Sequence, residues 1–268
     1  MWTIADLLQN FFTHKDFLPS PDNLPGTLFT PMHFVFALIF AAFVAFACIR
    51  CRKLGENKLK TIFAVLWGFL VLFEITKIVW ESVCGKTVSF EWGGILPLYP
   101  CSIFMYAMPF AIWGRGIVRK AASGYVCTLG LLGGLINFVY PANVLSNYSC
   151  LSFAGFHTLI YHGTLVFCAI AMLLSGYHTY TGAKKFTDLL IPAIPCLLMS
   201  IPANIVNFSP INADYMFFKL QSFFFAPIGA ALPKVLCVLI VYLLYFAIHA
   251  LPYIPFYIKN NKKVKTDV

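Results

Sequence analysis

Charge is the scarcest commodity in this 268-residue chain: Asp, Glu, Lys and Arg make up only 11% of it, against about 25% in soluble globular proteins. With 60% hydrophobic and 17% aromatic residues, there is too little polar surface to coat a water-soluble globule, which excludes a soluble enzyme or carrier. Acidic residues are scarcer still, 10 against 19 basic. The first thirty residues lack a basic n-region and carry Asp6, Asp16 and Asp22, so they do not read as a cleaved signal peptide. No HExxH, GxSxG, HxxxxD or P-loop pattern occurs, which removes the sequence support for a zinc protease, an esterase elbow or a nucleotide-phosphate cradle. Neither a cofactor nor a metal is predicted. The excess of basic residues is not gathered into an aromatic-interleaved basic domain, so nucleic acid is not an expected partner.

What the chain has in abundance is long apolar runs. Seven reach the length needed to cross a hydrocarbon core of about 30 Å: 31–49, 59–80, 96–113, 120–140, 154–175, 186–206 and 232–251. The expected fold is an all-α integral membrane protein, a single bundle of seven transmembrane helices. Basic residues are retained on the cytosolic side. Arg50, Arg52, Lys53, Lys58 and Lys60, then Arg115, Arg119 and Lys120, then Lys184 and Lys185, then Lys259, Lys262, Lys263 and Lys265 all fall in alternate connections, fourteen of the nineteen. The opposite side has Lys15, Lys86 and Lys219, with Lys77 and Lys234 near outer span ends. This pattern predicts an outer amino terminus and a cytosolic carboxyl terminus. The organisation reads as an outer segment 1–30, a bundle 31–258 and a basic tail 259–268, in a bacterial cell membrane or, for a eukaryotic chain, an endomembrane.

Smaller signals refine this. Trp2, Leu7, Leu8, Phe11 and Phe12 fit a short interfacial helix that Pro19, Pro21 and Pro25 would end, with a mobile tail as the competing reading. Gly130 and Gly134 form a small-xxx-small pair for close helix approach. The stretch from Asn207 to Pro233, rich in Phe (Phe217, Phe218, Phe223, Phe224, Phe225) and broken by Pro210 and Pro227, is too interrupted to span and is expected to fold as a re-entrant or interfacial cap. Most cysteines lie in apolar runs as small hydrophobes; Cys84 and Cys150 sit in outer loops, where a disulfide is an option. Asn147 and Asn207 begin Asn-x-Ser sequons.

Ionisable residues inside hydrocarbon are costly, which makes them functional candidates. Glu74, Lys77 and Glu81 are spaced to share one helix face. Cys101 enters the third span, and His157 and His162 the fifth, from the outer side. His33, Asn137 and Asn204 lie at outer span ends, so several helices are expected to deliver polar groups to one layer. His157 and His162 are five residues apart, about 140° around a helix, and cannot both face one partner.

On the residues Leu96-Pro97-Leu98-x-x-Cys101-Ser102, His162-Gly163 and Asn212-Ala213-Asp214-Tyr215-Met216, the chain resembles the YwaF-like bacterial membrane proteins, related to the transmembrane protein 164 family of multipass acyltransferases. Relatives often carry His where this chain has Tyr99 and Asn where it has Asp214. The resemblance covers most of the chain from His33 onward. It implies Cys101 as nucleophile and His162 as base in acyl transfer between phospholipid and lysophospholipid, independent of acyl-CoA, with membrane lipids as partners. His33, Glu74, Lys77, Glu81, Asn137, His157, Asn204, Asn212, Asp214 and Tyr215 then stand as supporting or substrate-binding candidates. A small-solute or proton-coupled transporter, or a substrate-binding membrane subunit, would use the same polar cluster as its binding site.

Overall fold

The computed structural model describes residues 2–88, 90, 94–221 and 225–266. Phe223 and Phe224, read above as part of the cap, lie outside them. Every regular element among the described residues is helical. Five helical stretches are long and apolar enough to cross a membrane: Pro31–Cys51, Glu56–Val83, Gly116–Leu145, Phe153–Leu174 and Phe186–Asn207. The pair Lys234–Ala250 and Ile254–Lys262, bent by 58° at its break, makes a sixth when its two helices are counted as one span. Six of the seven expected spans thus coincide with these stretches to within a few residues.

The seventh departs from expectation. Of Leu96 to Trp113 only Ile103–Trp113, 11 residues, is α-helical, about 16 Å of helix at 1.5 Å per residue. Pro97 and Pro100 account for this. Each lacks an amide hydrogen and pushes its preceding residue out of the helical region, so the chain turns through Leu98 N–H to Leu96 O (2.8 Å) and Ser102 N–H to Tyr99 O (2.9 Å) before the helix starts.

The chain divides into two compact units, Met1–Glu91 with Leu131–Ala171, and Trp92–Gly130 with Met172–Val268. The first contains α1 (Ile4–Gln9), α2 (Pro31–Cys51), α3 (Glu56–Val83), then, after the return at Leu131, α6 (Leu131–Val139), α7 (Ala142–Leu145) and most of α8 (Phe153–Leu174). Thr3 and Asp6 close a capping box around the start of α1, satisfying amides that a helix end leaves open. Leu7 is buried with Leu24, Leu145, Leu151 and Leu159. The segment is stitched on by main-chain bonds: Phe153 N–H to Phe11 O (2.9 Å), Cys150 N–H to Gly26 O (2.8 Å), Leu28 N–H to Leu145 O (2.9 Å), and Trp80 Nε1–H to Phe12 O (2.9 Å). The first thirty residues are a docked part of this unit, which removes the mobile-tail reading. Gly134 behaves as expected of a close-approach glycine: a Cβ there would lie 2.7 Å from Val166 Cγ2 and 3.1 Å from His162 O. Cys84 and Cys150 are both free thiols, and burial pushes that of Cys150 up to about 11, so the disulfide option is not taken. Of the two sequons, Asn207 is fully buried with both amide atoms engaged, so the folded chain cannot present it as an acceptor; Asn147 is exposed.

The second unit holds α4 (Ile103–Trp113), α5 (Gly116–Tyr125), α9 (Phe186–Leu190), α10 (Ile194–Asn207), α11 (Ala226–Ala231), α12 (Lys234–Ala250) and α13 (Ile254–Thr266). A π-helical turn, Val126–Gly130, follows α5. In the connection after α8, His178 is buried between Ser123 Oγ, 2.9 Å from Nδ1, and Tyr253 Oη, 2.7 Å from Nε2. Burial, with the nearby Lys120 charge, pushes this imidazole down to about 4. A folded-state value below the unfolded one of about 6.5 means the unfolded chain binds the proton first. The contribution of the neutral ring is therefore complete above pH 6.5 and is lost as pH falls through 4, on the order of 3 kcal/mol. Thermal unfolding of detergent-solubilised protein between pH 7 and 4 should show wild type losing more stability than His178→Gln; parallel curves would refute the assignment.

Candidate functional site

The sequence-chosen residues fall into two sets. His33, Glu74, Lys77, Glu81, Asn137, His157 and His162 belong to the first unit, and Cys101, Asn204, Asn212, Asp214 and Tyr215 to the second.

In the first unit the chemistry gathers on α3 and α8. His162, only 6% exposed, donates Nδ1–H to the carbonyl of Thr158, one helical turn earlier, at 2.7 Å. That bond fixes the tautomer: the proton is on Nδ1 and the lone pair on Nε2. Nε2 is buried and has no hydrogen-bond partner among the described residues. His157 faces differently, as its 140° offset requires. Its Nε2 lies 3.0 Å from Glu74 Oε2, a close contact that is bent away from a straight hydrogen bond. The other carboxylate oxygen, Oε1, is 3.7 Å from Lys77 Nζ. Tyr161 joins the two imidazoles, stacked on His157 (5.8 Å, 20°) and edge-on to His162 (5.4 Å, 67°).

Glu81 does not extend this ladder toward His162. Its Oε1 is taken by His14 Nε2 at 3.4 Å and Lys15 Nζ at 3.3 Å, so it anchors the amino-terminal segment. His33 is also committed locally: its Nδ1 accepts Phe29 N–H at 3.3 Å, and its ring stacks on Phe34. Asn137 donates to Gly133 O at 3.2 Å, while its buried Oδ1 has no partner among the described residues.

In the second unit Cys101 is half-buried in the turn that precedes α4. The turn is held from several directions. Tyr125 Oη donates to Pro100 O, Leu96 N–H donates to Tyr215 Oη at 2.9 Å, and the Tyr99 ring packs edge-on to Tyr215 at 5.0 Å. The motif from Asn212 to Met216 is thus a brace behind the cysteine turn. Asn207 clamps Tyr215 at both main-chain groups, accepting N–H at 2.7 Å and donating to C=O at 2.8 Å. The Asp214 carboxylate accepts the amides of Lys219 (2.7 Å) and Gln221 (2.9 Å). Lys219 Nζ donates to Asn212 Oδ1 at 2.7 Å, and Tyr245 Oη to Met216 O at 2.6 Å. These bonds hold Asn212, Met216, Phe217 and Leu220 at φ of 53–58°, a left-handed conformation that L residues adopt only when their surroundings enforce it. Asn204 donates to Tyr242 Oη at 3.3 Å and likewise keeps a buried Oδ1 without a partner among the described residues.

Residues not singled out from sequence include Thr158 and Tyr161, whose signal was their one-turn spacing from His162 and His157, and Asn207, which the sequon pattern disguised. Cys48 and Cys51 also have two-residue spacing, but the Cys48 thiol is buried and directed at Phe167 O at 3.8 Å. No group of three His, Cys, Asp or Glu able to hold a metal ion occurs among the described residues.

No curated protein and no solved structure matches the chain. The TMEM164 family, in contrast, matches residues 28–257, which contain the cysteine turn, the Glu74–His157 contact, His162 and the brace. On that match, the chain is a multi-pass membrane protein and belongs to the TMEM164 family.

Proposed function

We propose that this protein is a membrane acyltransferase of the YwaF-like branch, moving a fatty acyl group from a phospholipid to a lysophospholipid through a thioester on Cys101, with His162 as base. The observation that carries the reading is the His162 imidazole. Its Nδ1–H is tied to Thr158 O and its Nε2 lone pair is buried without a partner among the described residues, the form in which an imidazole accepts a proton. Cys101 supports it from the turn before α4, where it is half-buried and its turn is braced by Tyr125 and Tyr215, and a thiol is the side chain suited to accept an acyl group.

The chemistry balances without a cofactor. His162 Nε2 takes the thiol proton, and sulfur attacks the ester carbonyl carbon. The tetrahedral oxyanion collapses with cleavage of the ester C–O bond, and the leaving lysolipid oxygen takes the proton back from the imidazolium. The acceptor hydroxyl then gives its proton to Nε2, attacks the thioester carbonyl, and expels the Cys101 sulfur, which takes that proton from the imidazolium and restores the thiol. With seven spans, an outer amino terminus and the segment after α10 as a re-entrant cap, Cys101 lies toward the outer side. The donor is then a lipid of that leaflet, since acyl-CoA is cytosolic. In a bacterial chain this is the cell membrane.

Intact-protein mass spectrometry after incubation with a phospholipid of defined acyl chains tests the reading. The expected product is wild-type protein heavier by one acyl group, mapped to Cys101. Protein that labels only from acyl-CoA would overturn the donor assignment, and protein that never labels while still transferring acyl chains would overturn the thioester. An inert Cys101 together with Glu74-dependent solute uptake would favour the transporter.

A further inference from the structure

The acyl-transfer reading assigns His162 a proton, and on it rests a second question: what stabilises that proton in a site closed to water. An imidazolium formed inside hydrocarbon needs a counter-charge, because transfer of an isolated ion into low dielectric is strongly unfavourable. Glu74 is the one carboxylate that is buried among the described residues. It lies on α3, in the same unit as His162.

The contacts around it form a continuous path. Glu74 Oε2 meets His157 at 3.0 Å, His157 stacks on Tyr161, and Tyr161 abuts the edge of His162. Thr158 holds the other side of the His162 ring through Nδ1. The rotamer of His162 is thus gripped by one main-chain carbonyl and one aromatic ring, and the ring is itself backed by the imidazole that Glu74 secures. Lys77 engages only the second carboxylate oxygen. His157 is not an alternative base, since its Nε2 is already against a carboxylate.

We infer that Glu74 is the positioning residue for the His162 base: through His157 and Tyr161 it fixes the imidazole plane, and its carboxylate supplies the negative charge that balances the protonated ring. It acts through His162 and need not touch lipid. The glutamate therefore belongs to the transition state more than to the ground state, so its loss should lower kcat and leave KM nearly unchanged.

The test is steady-state transfer between a defined phospholipid and lysophospholipid by purified protein in nanodiscs, with thermal unfolding measured in parallel. Glu74→Gln, which keeps volume and loses charge, should lower kcat roughly 10- to 100-fold, the range expected of a supporting shell, with KM within about twofold. Glu74→Asp, which keeps the charge, should recover most of the loss. Wild-type kcat in Glu74→Gln, or equal impairment in Gln and Asp variants, would overturn the inference. If Glu74→Gln does not yield folded protein, His157→Gln decides by the same kcat–KM split, because it cuts the path while sparing the Glu74–Lys77 pair. Wild type and Cys101→Ala serve as controls: wild type that does not transfer sinks the acyl-transfer reading, a transferring Cys101→Ala sinks the thioester, and an inactive Cys101→Ala beside a fully active Glu74→Gln sinks only the role of Glu74.

Discussion

Replacing Cys101 by Ala reduces acyl transfer to the level of protein-free lipid, a loss on the order of 10³-fold or more, as for removal of other covalent nucleophiles. His162→Gln, which retains a polar group but no titratable nitrogen, costs about 10²- to 10⁴-fold, the contribution of a positioned general base. The two losses do not add, because both residues serve the same bond-making step: the double variant should be no slower than Cys101→Ala alone. Time-resolved intact mass distinguishes them further. Cys101→Ala shows no acyl adduct at any time, whereas His162→Gln shows the same adduct appearing slowly. The assignment of His162 as base would be lost if that variant acylated at the wild-type rate. Unfolding midpoints should change little for Cys101→Ala, a half-buried side chain.

The largest expected effect on folding comes from Gly155→Ala. A Cβ at this position would stand 2.2 Å from Ser149 O, 2.7 Å from Cys150 Cα and 2.9 Å from Cys150 C. All three are main-chain atoms, and they cannot retreat. Cys150 N–H is bound to Gly26 O, Ser149 O accepts Ser152 Oγ–H at 2.7 Å, and Gly155 N–H donates to Ser152 Oγ at 3.1 Å. The methyl group must break the junction between the 149–152 turn and α8, a destabilisation of about 4 kcal/mol or more, the range reserved for steric overlap in a core. Gly133→Ala is the matched control, since nothing lies within 4 Å of its Cβ. Thermal unfolding and size-exclusion profiles in detergent would show aggregation or a collapsed midpoint for Gly155→Ala and near wild-type behaviour for Gly133→Ala; similar midpoints would contradict the packing described here.

Long apolar helices were legible because their signal is one-dimensional. Residues 31–51 or 153–174 have no route to stability in lipid other than internal hydrogen bonding, so hydropathy alone located them. Leu96 to Trp113 misled because hydropathy does not register the missing amides of Pro97 and Pro100. Spacing along single helices also read through: Glu74 and Lys77 pair, and His157 and His162 face different partners. What could not be read was which partner each would find. Glu81 lies on the same predicted face as Glu74 yet bonds to His14 and Lys15, residues about seventy positions away whose arrival depends on the docking of the first thirty. The roles of Asn212, Asp214 and Tyr215 were hidden for a related reason. Their side chains serve the backbone of a turn with left-handed residues, and no periodicity announces such a turn.

The docking of the amino-terminal segment has a practical corollary for anyone preparing the protein. A truncation that starts neatly at Pro31 keeps every long apolar helix, but it strips Glu81 of His14 and Lys15, leaves the Trp80 indole without its acceptor and uncovers the apolar floor beneath Leu7. Affinity handles and fluorescent fusions are better carried at the other terminus, and a shortened version should be judged by its folding before any loss of activity is blamed on chemistry.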